Sequence, residues 1–170
     1  MVCRRDTEDS SNGLPANTNY QRDVSVSYNR LADLAVARGE GAQAEELYRK
    51  ALVIREALAR AEPANTGYQR DVSVSYERLA NLAVARGEGA QAEELYRKAI
   101  SRRRAVFVRE PDRVDLVEEL AVALALSARV LPDSAIPAEA VALLLPFGTA
   151  RTLTDKGRAV LGWARETTRS

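Results

Sequence analysis

The chain contains no histidine. That absence removes the usual general base of serine and cysteine hydrolases and a usual zinc ligand. Cysteine occurs once, at Cys3, which excludes an internal disulfide and any multi-cysteine metal site. No helix terminus or second thiol is evident near it, so Cys3 reads as an incidental thiol. No apolar run reaches the roughly 18 residues of a transmembrane span, and Met1 to Leu14 lacks the apolar segment of a secretory signal. A cytoplasmic protein with no membrane partner is expected. Charge of either sign is not in excess, with Lys plus Arg 25 against Asp plus Glu 24, so no whole-molecule field would recruit nucleic acid. There is no phosphate-cradling G-x-x-x-x-G-K-[ST] loop. The carboxylate pairs Glu45/Glu46 and Glu93/Glu94 fall on exposed helix faces, where neither acid is set up for proton transfer. No catalytic residue, cofactor or metal site is therefore expected.

What is present is a repeat. Pro15 to Ala51 returns 48 residues later as Pro63 to Ala99, and only Asn19/Gly67, Asn29/Glu77 and Asp33/Asn81 differ among the 37 positions. A fixed period of this size is the signature of stacked helical units. In the first unit, Thr18 followed by Gln21 has capping-box spacing and predicts a helix over about 19–38. Val24, Tyr28, Leu31 and Ala35 recur at 4, 3 and 4 and form its expected core stripe. Gly39 ends it by taking the left-handed conformation, and a second helix follows over about 42–61. Pro63 stops that helix, and the second unit repeats the scheme with Val72, Tyr76, Leu79, Ala83 and Gly87. A third, diverged hairpin has its first helix over 114–131, apolar on more than one face, then a proline-containing turn and a short helix over 138–145. Thr154 caps a last helix over about 155–167.

The order of residues Tyr28, Leu31, Ala32, Gly39, Ala44, Tyr48 and Ala51, repeated as Tyr76, Leu79, Ala80, Gly87, Ala92, Tyr96 and Ala99, resembles the tetratricopeptide repeat in a long, 48-residue form. The common form is about 34 residues. The chain departs from the family pattern at Gly41 and Gly89, at Ala35 and Ala83, and in the late prolines Pro63 and Pro111. The resemblance implies an all-α, right-handed α-solenoid of three antiparallel helical hairpins plus a C-terminal capping helix. The hairpins are expected at about 15–62, 63–110 and 111–148 within a single domain, 15–170, preceded by a disordered polar leader, 1–14. The cap is expected at about 154–167.

In proteins similar to this, the first helices of successive hairpins line a concave groove that receives a peptide or a partner helix. Mapped by angle from Val24, that face holds Arg22, Val26, Asn29 and Asp33, then Arg70, Val74, Glu77 and Asn81. Two of the three changes between the units fall there. They suggest either ordinary surface drift or a groove of graded acidity for a segment carrying Arg or Lys. The expected function is a non-catalytic protein–protein interaction scaffold. One alternative is homo-oligomerisation through the first hairpin, which has no evident N-terminal cap. The other is nucleic-acid binding through Arg102, Arg103 and Arg104. Near-balanced charge, the spread of that run around its helix and the absence of stacking aromatics other than Phe107 oppose it, and the run reads as a solvated helix end.

Overall fold

The computed structural model describes residues 17–131, 135–147 and 153–168. The polar leader 1–14, with Cys3, lies outside them, as do residues 132–134 of the proline-containing turn. Seven α-helices are described: α1 (Thr18–Ala37), α2 (Gly41–Ala61), α3 (Thr66–Ala85), α4 (Gly89–Arg109), α5 (Val114–Ser127), α6 (Ala135–Leu144), which runs into a 3₁₀ turn at Leu145–Phe147, and α7 (Asp155–Thr167). Each packs chiefly on the helices before and after it in the chain, and α7 lies on both α5 and α6. The architecture is an α-solenoid of three hairpins closed by α7.

The caps lie one residue earlier than the Thr18/Gln21 spacing predicts. The Asn17 amide oxygen accepts from the backbone N–H of Asn19 at 3.1 Å and Tyr20 at 3.3 Å, and its twin Asn65 accepts from Tyr68 N–H at 3.3 Å. A side-chain carbonyl reaches the free donors of the first turn, leaving Thr18 and Thr66 as the first helical residues. At the other end, Gly39 (φ 77°) and Gly87 (φ 75°) turn the chain. Glu40 N–H reaches back to Ala35 C=O at 2.9 Å and Glu88 N–H to Ala83 C=O at 2.9 Å, the six-to-one bond of a Schellman ending. The first helix of the third hairpin ends at Ser127 rather than Leu131, and the chain turns there, with Val130 N–H and Leu131 N–H both donating to Ser127 C=O at 2.9 and 2.8 Å. Its partner begins at Ala135, with Pro137 tolerated in the first turn.

Ala32, Ala44, Ala51, Ala80, Ala92 and Ala99 are fully buried, and these methyls set the close approach of helices within and between hairpins. In α3, Val72, Leu79 and Ala83 of the expected stripe are core. In α1 the stripe is displaced. The buried residues there are Ser25, Asn29, Ala32 and Ala35, whereas Leu31 faces out. The cause is the neighbour: α3 has a helix on each side and α1 among the described residues has α2 and α3 on one side only. The third hairpin is the most apolar part, with Val117, Ala121 and Val122 of α5 meeting Ala140 and Leu144 of α6 and Val160, Leu161 and Ala164 of α7.

Candidate functional site

Two hollows lie between successive first helices. The first, about 370 Å³, is walled by Asp33, Val36, Arg78, Asn81, Leu82 and Ala85 of α1 and α3, with Tyr48 at its floor. The second, about 320 Å³, is walled by Val74 and Glu77 of α3, Asp115, Glu118, Glu119 and Val122 of α5, Arg103 of α4, and Thr154 and Lys156 at the start of α7. Of the residues expected to line a groove, Asp33 and Asn81 border the first hollow and Val74 and Glu77 the second. Arg22 and Arg70 serve as struts between first helices. Arg22 Nε donates to Asp71 at 2.7 Å, and Arg70 forks onto Glu119, the residue equivalent to Asp71 one repeat on. Val26 is half-buried and borders neither hollow.

Asn29 is not on an open groove surface. It is buried, and the reason is an arginine that the periodicity gave no cause to place in the interior. Arg55, near the end of α2, runs inward between α1 and α3. Its Nε donates to Ser25 Oγ at 3.1 Å, and its Nη1 donates to Asp71 C=O at 2.9 Å and Ser75 Oγ at 3.0 Å. With its amide oxygen turned to this guanidinium, Asn29 accepts from Nη1 and Nη2, both at 2.7 Å. Burial pulls the Arg55 pKa below its ordinary value, with the nearby Asp71 charge partly opposing the shift. An arginine starts so high that the group remains a cation.

The same device recurs in the next unit. Arg103 of α4 donates to Ser73 Oγ at 3.2 Å and to Glu119 C=O, and its Nη2 lies 2.7 Å from Glu77 Oε2. That carboxylate oxygen is buried, and its approach to Arg103 is an ion pair rather than an aligned hydrogen bond. Where the first junction has the Ser75 hydroxyl, the second has Ala123. The second junction thus loses a neutral acceptor and gains a charged one, as Asn29 becomes Glu77. The third difference between the units follows the same logic. Asp33 accepts from Tyr48 Oη at 2.5 Å and pairs with Arg78 at 3.0 Å. Asn81 accepts from Tyr96 Oη at 2.5 Å, and the residue 48 beyond Arg78 is Leu126, which has no charge to answer. Burial, then the Asp33 hydrogen bond, push the Tyr48 hydroxyl far above its usual range. Neither a graded acidity nor surface drift describes these changes; Asp33 is answered by Arg78 of the next hairpin and Glu77 by Arg103 of its own.

The basic run is solvated at Arg102 and Arg104 but not at Arg103. Arg103 is buried, Arg102 donates to Gln69 at 2.8 Å, and Arg104 forks onto Glu139 with Nε at 3.0 Å. All three arginines are thus engaged within the chain. Among the described residues no cluster of His, Cys, Asp or Glu is arranged to hold a metal ion, and no helix is long and apolar enough to cross a membrane.

Paired antiparallel helices, Gly-ended first helices and buried small residues at the crossings describe a known repeat, and the sequence model of that family, the tetratricopeptide repeat, matches residues 24–59 and 72–112. The first two hairpins are tetratricopeptide repeats. No curated protein matches the chain. Tetratricopeptide repeats are in general protein–protein interaction modules rather than catalysts. Within these two repeats, Arg55 and Arg103 are the residues that period-based reading misses, because a charged residue on a helix is assigned to water by default. The available signal was that each stands 30 residues after a serine, Ser25 and Ser73, on a helix otherwise committed to packing.

Proposed function

We propose that the chain is a non-catalytic scaffold that holds a peptide or a helix of a partner protein along the row of first helices, α1, α3 and α5. The observation that supports this reading is the position of the two hollows, one at each step between those helices. Successive recesses along one face suit an extended or helical segment that places a side chain in each. Their walls combine apolar groups, Val36, Ala85 and Val74, with polar groups that, Lys156 apart, have partners among the described residues. Recognition here rests on shape and apolar fit more than on an unanswered charge. Asp33 and Glu77 stay in the proposed site as wall residues whose charge is spent on Arg78 and Arg103.

The test must leave those pairs intact. Glu77→Arg would bury a second guanidinium against Arg103 and so report on folding. Val36→Arg with Val74→Arg instead fills both recesses from exposed or half-buried positions. We expect unchanged helix content by circular dichroism and at least about tenfold weaker binding to partners captured by the wild-type chain, the equivalent of about 1.4 kcal/mol. Equal affinity of both forms for every captured partner rejects the groove.

A further inference from the structure

The internal duplication supplies its own control. The face of α3 that meets α1 and α2 is a nearly unchanged copy of a face on α1, so each α1 residue has a twin whose partner is visible. Tyr68, Leu79 and Leu82 are 7%, 3% and 8% exposed, packed on α1 and α2; their twins Tyr20, Leu31 and Leu34 are 66%, 52% and 47% exposed. The polar groups follow suit. Asp71 receives Arg22 and Ser75 receives Arg55, whereas the carboxylate of Asp23 is unpaired and Ser27 bonds only to its own helix among the described residues. Tyr76 Oη donates to Glu56 at 2.5 Å, Arg78 pairs with Asp33 at 3.0 Å, and Arg86 pairs with Glu45. Their twins Tyr28, Arg30 and Arg38 have no side-chain hydrogen bond or ion pair among the described residues. Apolar surface and polar groups are therefore missing the same partner.

We propose that this outer face of α1 is a docking site for a further helical hairpin of the same repeat. That hairpin carries arginines at the positions of Arg22 and Arg55 and carboxylates at those of Asp33, Glu45 and Glu56. The site is separate from the groove. The chemistry of the occupant is read from the junction that α1 and α2 form with α3, where those five residues do this work. A second intact copy of the chain does not offer it. Its α1–α2 hairpin is engaged by α3 and its α3–α4 hairpin by α5, while the end of its third hairpin is covered by α7.

The experiment inserts a second copy of residues 15–62 between Leu14 and Pro15 of the full chain. The join then reproduces the natural Glu62–Pro63 step, since Pro15 is the twin of Pro63. The probe is a thiol at the face, Leu31→Cys in the original unit, in a Cys3→Ser background. In the chain without the insertion, we expect labelling at the rate of an open thiol at every protein concentration. In the extended chain it should slow by at least about tenfold, as for a site released only by local opening. Arg22→Ala with Arg55→Ala in the inserted copy should return part of that rate. Three results would overturn the proposal. Fast labelling in the extended chain means that the face does not accept the hairpin. Protection in the unextended chain that grows with concentration assigns the face to a second copy. Protection there at all concentrations assigns it to the chain's own first 16 residues.

Discussion

Leu31 and Leu79 occupy the same place in nearly identical segments, yet one is half in water and the other is core. Asn29 and Glu77 likewise occupy one place, and each answers a buried arginine in a different currency of charge. The first comparison shows that burial in a repeat belongs to the junction and not to the unit. The second shows that a junction tolerates change only when the residues on its far side change with it. Ser75 paired with Asn29 in one junction, and Ala123 paired with Glu77 in the next, satisfy the same guanidinium by different means.

The largest effect should come from taking the arginines out. Arg103→Ala leaves the Glu77 carboxylate buried without its cation, and we expect a loss of roughly 3–5 kcal/mol in urea unfolding. Arg55→Ala leaves only hydroxyls, an amide and a carbonyl unanswered, and should cost about 1–3 kcal/mol. Adding Glu77→Asn to Arg103→Ala should recover most of the difference. Equal losses for both arginines would erase the distinction between the junctions.

Next in size is the leucine comparison. Leu79→Ala removes a side chain packed among Ala32, Ala35, Ala44 and Tyr48, and Leu→Ala in such a core costs roughly 2–5 kcal/mol. Leu31→Ala should cost well under about 1 kcal/mol by the same measurement, as for surface substitutions away from special features. A Leu31 as sensitive as Leu79 would mean that its face is covered in the chain as it stands.

The smallest expected effect is alkaline. Burial, then the Glu56 hydrogen bond, push the Tyr76 hydroxyl up to about 12 from an ordinary 10. A raised folded pKa means that the native state keeps a proton the unfolded chain has lost. Stability is therefore complete below about pH 10 and declines between about pH 10 and 12. Tyr76→Phe should flatten part of that decline in the denaturation midpoint. An unchanged decline would show that Glu56 does not hold Tyr76 as described.

Much of the fold was legible because the signals that set it are local. Gly39 and Gly87 need a left-handed turn, Ala32 and Ala80 allow close crossing, and Thr154 followed by Asp155 starts α7 where the spacing predicts. The junctions were not legible, for a physical reason. Segments that share almost every residue share one hydrophobic period, and no period records whether a helix lies on one side or on both. Leu31 was accordingly assigned to the core on the same grounds as Leu79, correctly only for the second. The periodicity is silent on Arg55, reads Arg103 as part of a solvated run and puts Asn29 on the groove face, because each becomes a reasonable interior residue only when its partners from other helices are placed around it. The groove was legible as a face of α1 and α3, and Asp33, Val74, Glu77 and Asn81 do border hollows there. That the charges of Asp33 and Glu77 are already answered depends on Arg78, on which the periodicity is silent, and on Arg103, which it reads as part of a solvated run.

The Glu118 carboxylate accepts from Thr154 N–H at 2.6 Å and from Thr154 Oγ1 at 2.9 Å. It presses so close that a Cβ on Gly157 would lie 2.8 Å from Glu118 Cδ. That contact seats α7 with no room to spare, and it quenches the trailing edge of the stack while the opposite edge keeps its valences. In the language of polymers, the docking we propose at α1 would make this a molecule with one reactive terminus, and growth by that chemistry would run outward from α1.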